Sequence, residues 1–196
     1  MLLHYTINQP IFILGNGLYS NELKIWINND TPTHTELVDP SNFFSIPLGS
    51  QIILGFQNLE YRKKFLSNFK IEQYHWPSFI HSSAVVTDNS SIQEGIVVNP
   101  QSVIGHRVTL EPFCNIGILS KIGHGTTLGV NTVVSPGTMI GGSTTVGRDV
   151  FFGQSCSIKD KIKICNDVYF TMNSVVKKDV VTTGKYYGNR KIHILQ

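Results

Sequence analysis

The chain has 196 residues, 41% hydrophobic and 15% charged, with a formal net charge of +3, a composition that fits a folded globular protein and excludes a disordered one. The basic residues are scattered, and the densest group (Lys177, Lys178, Lys185, Arg190, Lys191) is too thin for a nucleic-acid-binding stripe. No apolar run approaches the ~18 residues of a membrane span.

The opening MLLHYTINQP has neither the basic n-region nor the long apolar core of a signal peptide. The three cysteines, Cys114, Cys156 and Cys165, form no CxxC pair. With no export signal, they predict reduced thiols and a cytoplasmic location.

In chain order, PIFILG (10–15) predicts a short buried strand ending at Gly15, and NELKIWIN (21–28) a helix. TELVDP (35–40) predicts a second strand ending at Asp39. SQIILGF (50–56) predicts a third, ending at Gly55, and LEYRKKFLSNF (59–69) a second helix with Leu59, Phe65, Leu66 and Phe69 on one face. Strands alternating with helices describe a small parallel α/β unit, in which ligands sit beyond the carboxyl ends of the strands. Gly15, Asn16 and Gly17 occupy such an end, before a helix whose first amides face outward to accept phosphate. Asp39 closes the next strand about 20 residues on, where an acidic side chain accepts from a ribose hydroxyl. Pro77 and HSSAVV mark a change of pattern.

From Ile80 the chain divides into sixes, as in IGHGTT LGVNTV VSPGTM IGGSTT. Sixteen such blocks run to Val175 without insertion, each opening on Ile, Val, Leu or Phe. The fifth place is small or β-branched, and the second is glycine in seven blocks, from Gly105 to Gly153. A helix of 3.6 residues per turn cannot keep this period, whereas strand alternation can. The first and fifth places therefore point inward from short strands joined by tight corners, and glycine beside a corner is expected to relieve backbone angles. Three blocks make one triangular turn of 18 residues, and turns stack into a parallel solenoid. His106 and His124 both hold the third place and lie eighteen residues apart, so both rings point outward on one side, one turn apart.

The hexads resemble those of the hexapeptide-repeat acyltransferases, which implies that the solenoid is a left-handed β-helix. The whole order is α/β unit over 1–77, coil over 78–176 and tail over 177–196. It is similar to bacterial sugar acetyltransferases of the sialic-acid O-acetyltransferase and bacillosamine N-acetyltransferase type. The resemblance implies a Rossmann-like small domain holding a nucleotide-sugar at Gly15, Asn16, Gly17, Asp39 and Gly55. It also implies a homotrimer, and acetyl-CoA in the groove between neighbouring coils. His124 in IGHGTTLG matches the family's general base. Gly142 in MIGGST matches the glycine whose N–H meets the thioester carbonyl. No metal is implied.

The departures from the family are specific. Gly125 stands where an acid follows the base, and Val133 where a second histidine falls nine residues on. Gly117 stands where an asparagine precedes the base by seven, and Leu18 where the phosphate loop has another glycine. YGNRK replaces the C-terminal Gly-x-Pro-Ala. Without the acid nothing nearby fixes the imidazole tautomer, so a binding solenoid without catalysis is a competing reading, as is transfer to a sugar hydroxyl rather than an amine. A metalloenzyme like the γ-class carbonic anhydrases would need histidines five residues apart. Glu111 and Gly129 occupy those places.

Overall fold

The structure is a computed structural model that describes residues 1–6 and 9–192. In chain order its first part contains β1 (Leu2–Leu3), β2 (Ile11–Leu14), α1 (Leu18–Asp30), β3 (Thr35–Val38), β4 (Gln51–Leu54), α2 (Leu59–Asn68) and β5 (Ser78–Ile80). Strands β3, β2 and β4, in that spatial order, form a parallel sheet with Ile11 opposite both Thr35 and Gln51. IFIL and QIIL are near-continuous apolar runs because a parallel sheet is covered on both faces. α1 buries Ser20, Leu23 and Ile27, and α2 buries Leu59, Arg62 and Phe65. Phe43, Phe65, Phe69 and Tyr74 close the core with ring centroids 4.5–5.0 Å apart.

Two local differences from the sequence reading have clear causes. α1 begins at Leu18, not Asn21. Gly17 is the extended N-cap residue, and the Ser20 hydroxyl and Asn21 amide both donate to its carbonyl, at 2.7 and 2.9 Å. Packing of Ser20 thus overrides the weak helix propensity of GLYS. Residues Pro40–Ser45 form a short 3₁₀ turn, started by Pro40 and by the Asp39 carboxylate accepting from Ser41 N–H.

The rest is the expected parallel solenoid, built from two-residue strands recurring every six residues. Register advances by eighteen, as in Asn115↔Val133↔Phe151, and gives three faces. The docking face carries β5, Val97–Val98, Asn115–Ile116, Val133–Val134, Phe151–Phe152 and Val168–Phe170. The groove face carries Val85–Val86 through Val175–Val176, and the third face Ser91–Ile92 through Lys163–Ile164. First-place residues from Val98 to Phe170 form the core, with Val108, Cys114, Val150, Cys156, Ile162 and Val168 from the fifth place. From Ser90 to Thr144, each Ser or Thr at the fifth place donates its hydroxyl to a carbonyl fifteen residues on, as Ser102 to Gly117 at 2.7 Å and Thr126 to Gly141 at 3.0 Å. That satisfaction makes a polar atom tolerable inside a narrow prism.

The expected reason for the second-place glycines is corrected by the backbone. The left-handed angles fall at the fourth place, which runs from Asn89 to Asn173 and is mostly not glycine, with Gly125 (φ +66°) among the exceptions. The second-place glycines are required by close approach of the next turn. A β-carbon on Gly123 would lie 2.5 Å from the Gly142 nitrogen, and one on Gly141 would lie 2.4 Å from that of Asp160.

β1 and the described part of the tail both join the coil. β1 pairs antiparallel with β5. In the tail, Gly184–Tyr187 extends the docking face beside Val168–Phe170 and turns back through Arg190–Lys191. The last four positions of the expected tail, 193–196, lie outside the described residues. The α/β unit sits on the docking face, where Arg62, 1% exposed, is the clip. Its guanidinium donates to Asn131 Oδ1 and to the carbonyls of Phe56 and Phe113, at 2.5–2.9 Å. Desolvation holds its pKa down to about 10, so it remains charged at neutral pH. Lys63 adds an ion pair to Asp167.

Candidate functional site

The carboxyl ends of β2, β3 and β4 open into a cleft of about 500 Å³. It gathers all five residues expected there: Gly15, Asn16, Gly17, Asp39 and Gly55. Gly15 and Gly55 are glycines for packing, since a β-carbon on either would lie 2.8 Å from the Ser20 β-carbon. Gly17 is different. A β-carbon there meets nothing within 4 Å, so this N-cap leaves the open amino end of α1 free for close approach by a ligand.

Asp39 accepts from Ser41 N–H at 2.8 Å, from Ser41 Oγ at 2.6 Å and from Asn16 Nδ2. The Ser41 bonds, followed by the one from Asn16, hold its carboxyl below the ordinary value. The acid is thus fixed as an acceptor at the cleft rim.

His124 stands exposed at the corner between the groove face and the third face. Its ring lies against the backbone of Gly142, one turn on. A β-carbon at Gly142 would be 2.7 Å from Cε1 and 2.9 Å from Nε2 of the imidazole. Glycine is therefore the only residue at 142 that leaves the ring in this place. The Gly142 N–H has no partner among the described residues, nor does the His124 ring. His106, one turn earlier, is engaged differently, with its Nδ1 3.1 Å from the Asp88 carbonyl oxygen.

Beside this corner the groove face opens into a trough of about 510 Å³ lined by Met139, Gly141, Ile158, Val175, Lys159 and Lys177. Its outward aliphatics are bare: Met139 is 51% exposed and Val175 53%. The trough reaches Gly141, the neighbour of Gly142, and carries lysines toward the C-terminal end.

The cleft and His124 lie apart in one chain. The α/β unit covers the docking face, touching Asn99, Asn115 and Asn131, whereas the His124 corner is the one opposite that face. Val133, at the place of the second family histidine, is on the docking face and 1% exposed.

Sequence reasoning missed Tyr19, Gln57, Asn58 and Tyr61, which line the cleft. Tyr19 and Gln57 bond to coil residues 58 to 96 positions away, a pairing no local pattern announces. Among the described residues no group of three His, Cys, Asp or Glu could hold a metal ion, and no helix is long and apolar enough to cross a membrane.

No protein-family model and no curated protein matches the sequence. Solved structures do. The acetyltransferase domain of PglB from Neisseria gonorrhoeae is 17% identical over 91% of this chain and 96% of its own, with a TM-score of 0.83. PerB from Caulobacter crescentus, solved with CoA and GDP-perosamine, is 19% identical over 92% and 94%, with a TM-score of 0.77. WeeI from Acinetobacter baumannii is 19% identical over 93% and 98%, with a TM-score of 0.77. Over more than nine-tenths of its length, the chain has the fold of these structures, among them an acetyltransferase domain.

Proposed function

We propose that this chain is an acetyl-CoA-dependent acetyltransferase that acts on a nucleotide-linked sugar, N-acetylating an amino-dideoxy sugar in bacterial surface-glycan synthesis in the cytoplasm. The observation that carries the reading is the imidazole seated against Gly142, whose N–H has no partner among the described residues, with an apolar trough leading up to it. A trough of Met139, Ile158 and Val175 suits a pantetheine arm, and Lys159 and Lys177 suit the phosphates at its far end. PerB, which shares the fold, was solved with CoA and a nucleotide-sugar.

In this reading residues 1–77 form a Rossmann-like nucleotide-sugar domain and 78–176 a left-handed coil. Gly15, Asn16 and Gly17 meet the phosphates through the α1 amino end, Gly55 lines the cleft beside them, and Asp39 accepts from the ribose. The sugar amine attacks the acetyl carbonyl, and His124 takes the proton the amine loses. The Gly142 N–H donates to the carbonyl oxygen as charge gathers on it. The carbon–sulfur bond breaks, and the proton passes to the departing thiolate of CoA. Because His124 and the cleft are on opposite sides of one chain, one protomer's cleft serves its neighbour's His124, and the enzyme is a homotrimer.

A binding solenoid without catalysis is the second reading. It is favoured by Gly125, which leaves His124 without a carboxylate to orient it. Release of free thiol from acetyl-CoA, followed over a panel of nucleotide amino-sugars and their hydroxyl counterparts, separates the readings. Turnover with an amine acceptor is expected; no thiol release with any acceptor contradicts catalysis.

A further inference from the structure

Where the α/β unit meets the coil, Tyr19 and Gln57 line the cleft and hydrogen-bond to the buried coil residues Asn99 and Asn115. Their direction of hydrogen bonding follows from one anchor. Asn99 lies 2.7 Å from the Ile116 carbonyl oxygen, which can only accept, so that end of the Asn99 amide is its Nδ2. Asn99 Oδ1 therefore accepts, and the Tyr19 hydroxyl donates to it at 3.2 Å. With its proton committed, the Tyr19 oxygen accepts from Asn115 Nδ2 at 2.9 Å. Asn115 Oδ1 is then turned toward Gln57 and accepts from its Nε2 at 3.0 Å.

Each step fixes the next, and the last commits Gln57 Nε2 to Asn115 and leaves Oε1 of this cleft-lining residue without a partner among the described residues. No side-chain polar atom among the described residues is buried without a partner, so this oxygen is open to what enters the cleft. Asn99 and Asn115 are fully buried, which keeps water from competing for the relay and holds the amide in one orientation.

We propose that Gln57 Oε1 is a fixed hydrogen-bond acceptor that selects ligands presenting an N–H or O–H donor in the cleft, with Asn115 as its positioning residue. This rests on the cleft being the nucleotide-sugar site. The donor has two possible sources of the same chemistry, the imide or amide N–H of the base and a hydroxyl or amine of the sugar.

Calorimetry on the full chain tests it with UDP, GDP, UDP-glucose and GDP-mannose, and with 3-methyl-UDP and 1-methyl-GDP as probes lacking the base donor. Thermal unfolding checks that each variant is folded. Gln57→Leu is expected to weaken the preferred probe about tenfold, as for loss of one hydrogen bond. If the base supplies the donor, N-methylation weakens the wild type to the same degree and weakens Gln57→Leu no further. If the sugar supplies it, Gln57→Leu weakens only the nucleotide-sugars. Asn115→Leu frees the amide to rotate, so the wild-type ratio between a probe and its donor-lacking counterpart shrinks although Gln57 is present. Asn115→Asp, which still accepts from Gln57 Nε2, keeps that ratio. A wild type that distinguishes neither a nucleotide from its N-methyl form nor a nucleotide-sugar from the bare nucleotide overturns the proposal and leaves the functional reading standing, as does a Gln57→Leu that binds every probe as tightly as wild type. A wild type that binds none of the probes overturns both.

Discussion

At the scale of single residues, the imidazole of His124 packs against the bare α-carbon of Gly142. His124→Ala is expected to lower kcat by about 10²–10⁴, the usual range for loss of general-base help. Its melting temperature should hold, since the ring is exposed and fills no cavity. His106→Ala, one turn away, should cost much less. Gly142→Ala leaves the histidine in the sequence but puts a β-carbon 2.7 Å from its ring; the side chain swings aside, and kcat should fall on the order of 10²-fold. Steady-state rates of thiol release check all three, and an unimpaired His124→Ala would place the base elsewhere. Asp39 gives a pH signature. Its folded pKa is depressed below 3.8 by the Ser41 bonds, so the stability it lends is fully present above that value and lost as pH falls through the folded value. The melting-temperature gap between wild type and Asp39→Asn should be constant near neutrality and close in acid; a gap that widens in acid contradicts the assigned bonds. The positions of His124, Gly142 and Asp39, as distinct from their proposed roles, were legible because each sits at a fixed offset within a periodic or strand-end pattern. Gln57 and Tyr19 were not, because their partners lie on the far side of a domain contact.

At the scale of elements, the hexads were read correctly from sequence because every turn repeats the same inward places, and eighteen-residue register follows from three blocks. The role of glycine was not legible. A corner and a close approach both call for glycine, and only coordinates separate them. The difference makes opposite predictions for two neighbours. Gly123→Ala drives a β-carbon to 2.5 Å from backbone nitrogen and should destabilise the coil by about 1–3 kcal/mol. Gly125→Asp meets nothing closer than Ser143 Oγ at 3.5 Å, at a place where Asp149 and Asp167 are tolerated in the same left-handed conformation. It should cost only about 1 kcal/mol, and it raises kcat if the imidazole lacks an orienting acid. Denaturant unfolding ranks the two variants; the reverse order would restore the corner explanation. The start of α1 and the 3₁₀ turn after Asp39 escaped the sequence for a related reason. Ser20 and Ser41 act there through hydrogen bonds rather than through apolar periodicity.

At the scale of the whole molecule, the proposed reaction needs more than one chain. The α/β unit is clipped by Arg62 to the docking face, and the His124 corner is opposite. The proposed trimer is not legible in any single hexad, because outward places need not be periodic. The direct measurement is complementation between two disabled variants: His124→Ala, with a sound cleft, and Gly17→Trp, whose side chain fills the open N-cap of α1. Each alone should be inactive in acetyl-CoA thiol release with the preferred nucleotide amino-sugar. Co-expressed in equal amounts, they should recover about a quarter of wild-type activity, the share of sites that draw a sound cleft and a sound histidine from two different protomers. A mixture as inactive as its components, beside an active wild type, would contradict a site shared between chains.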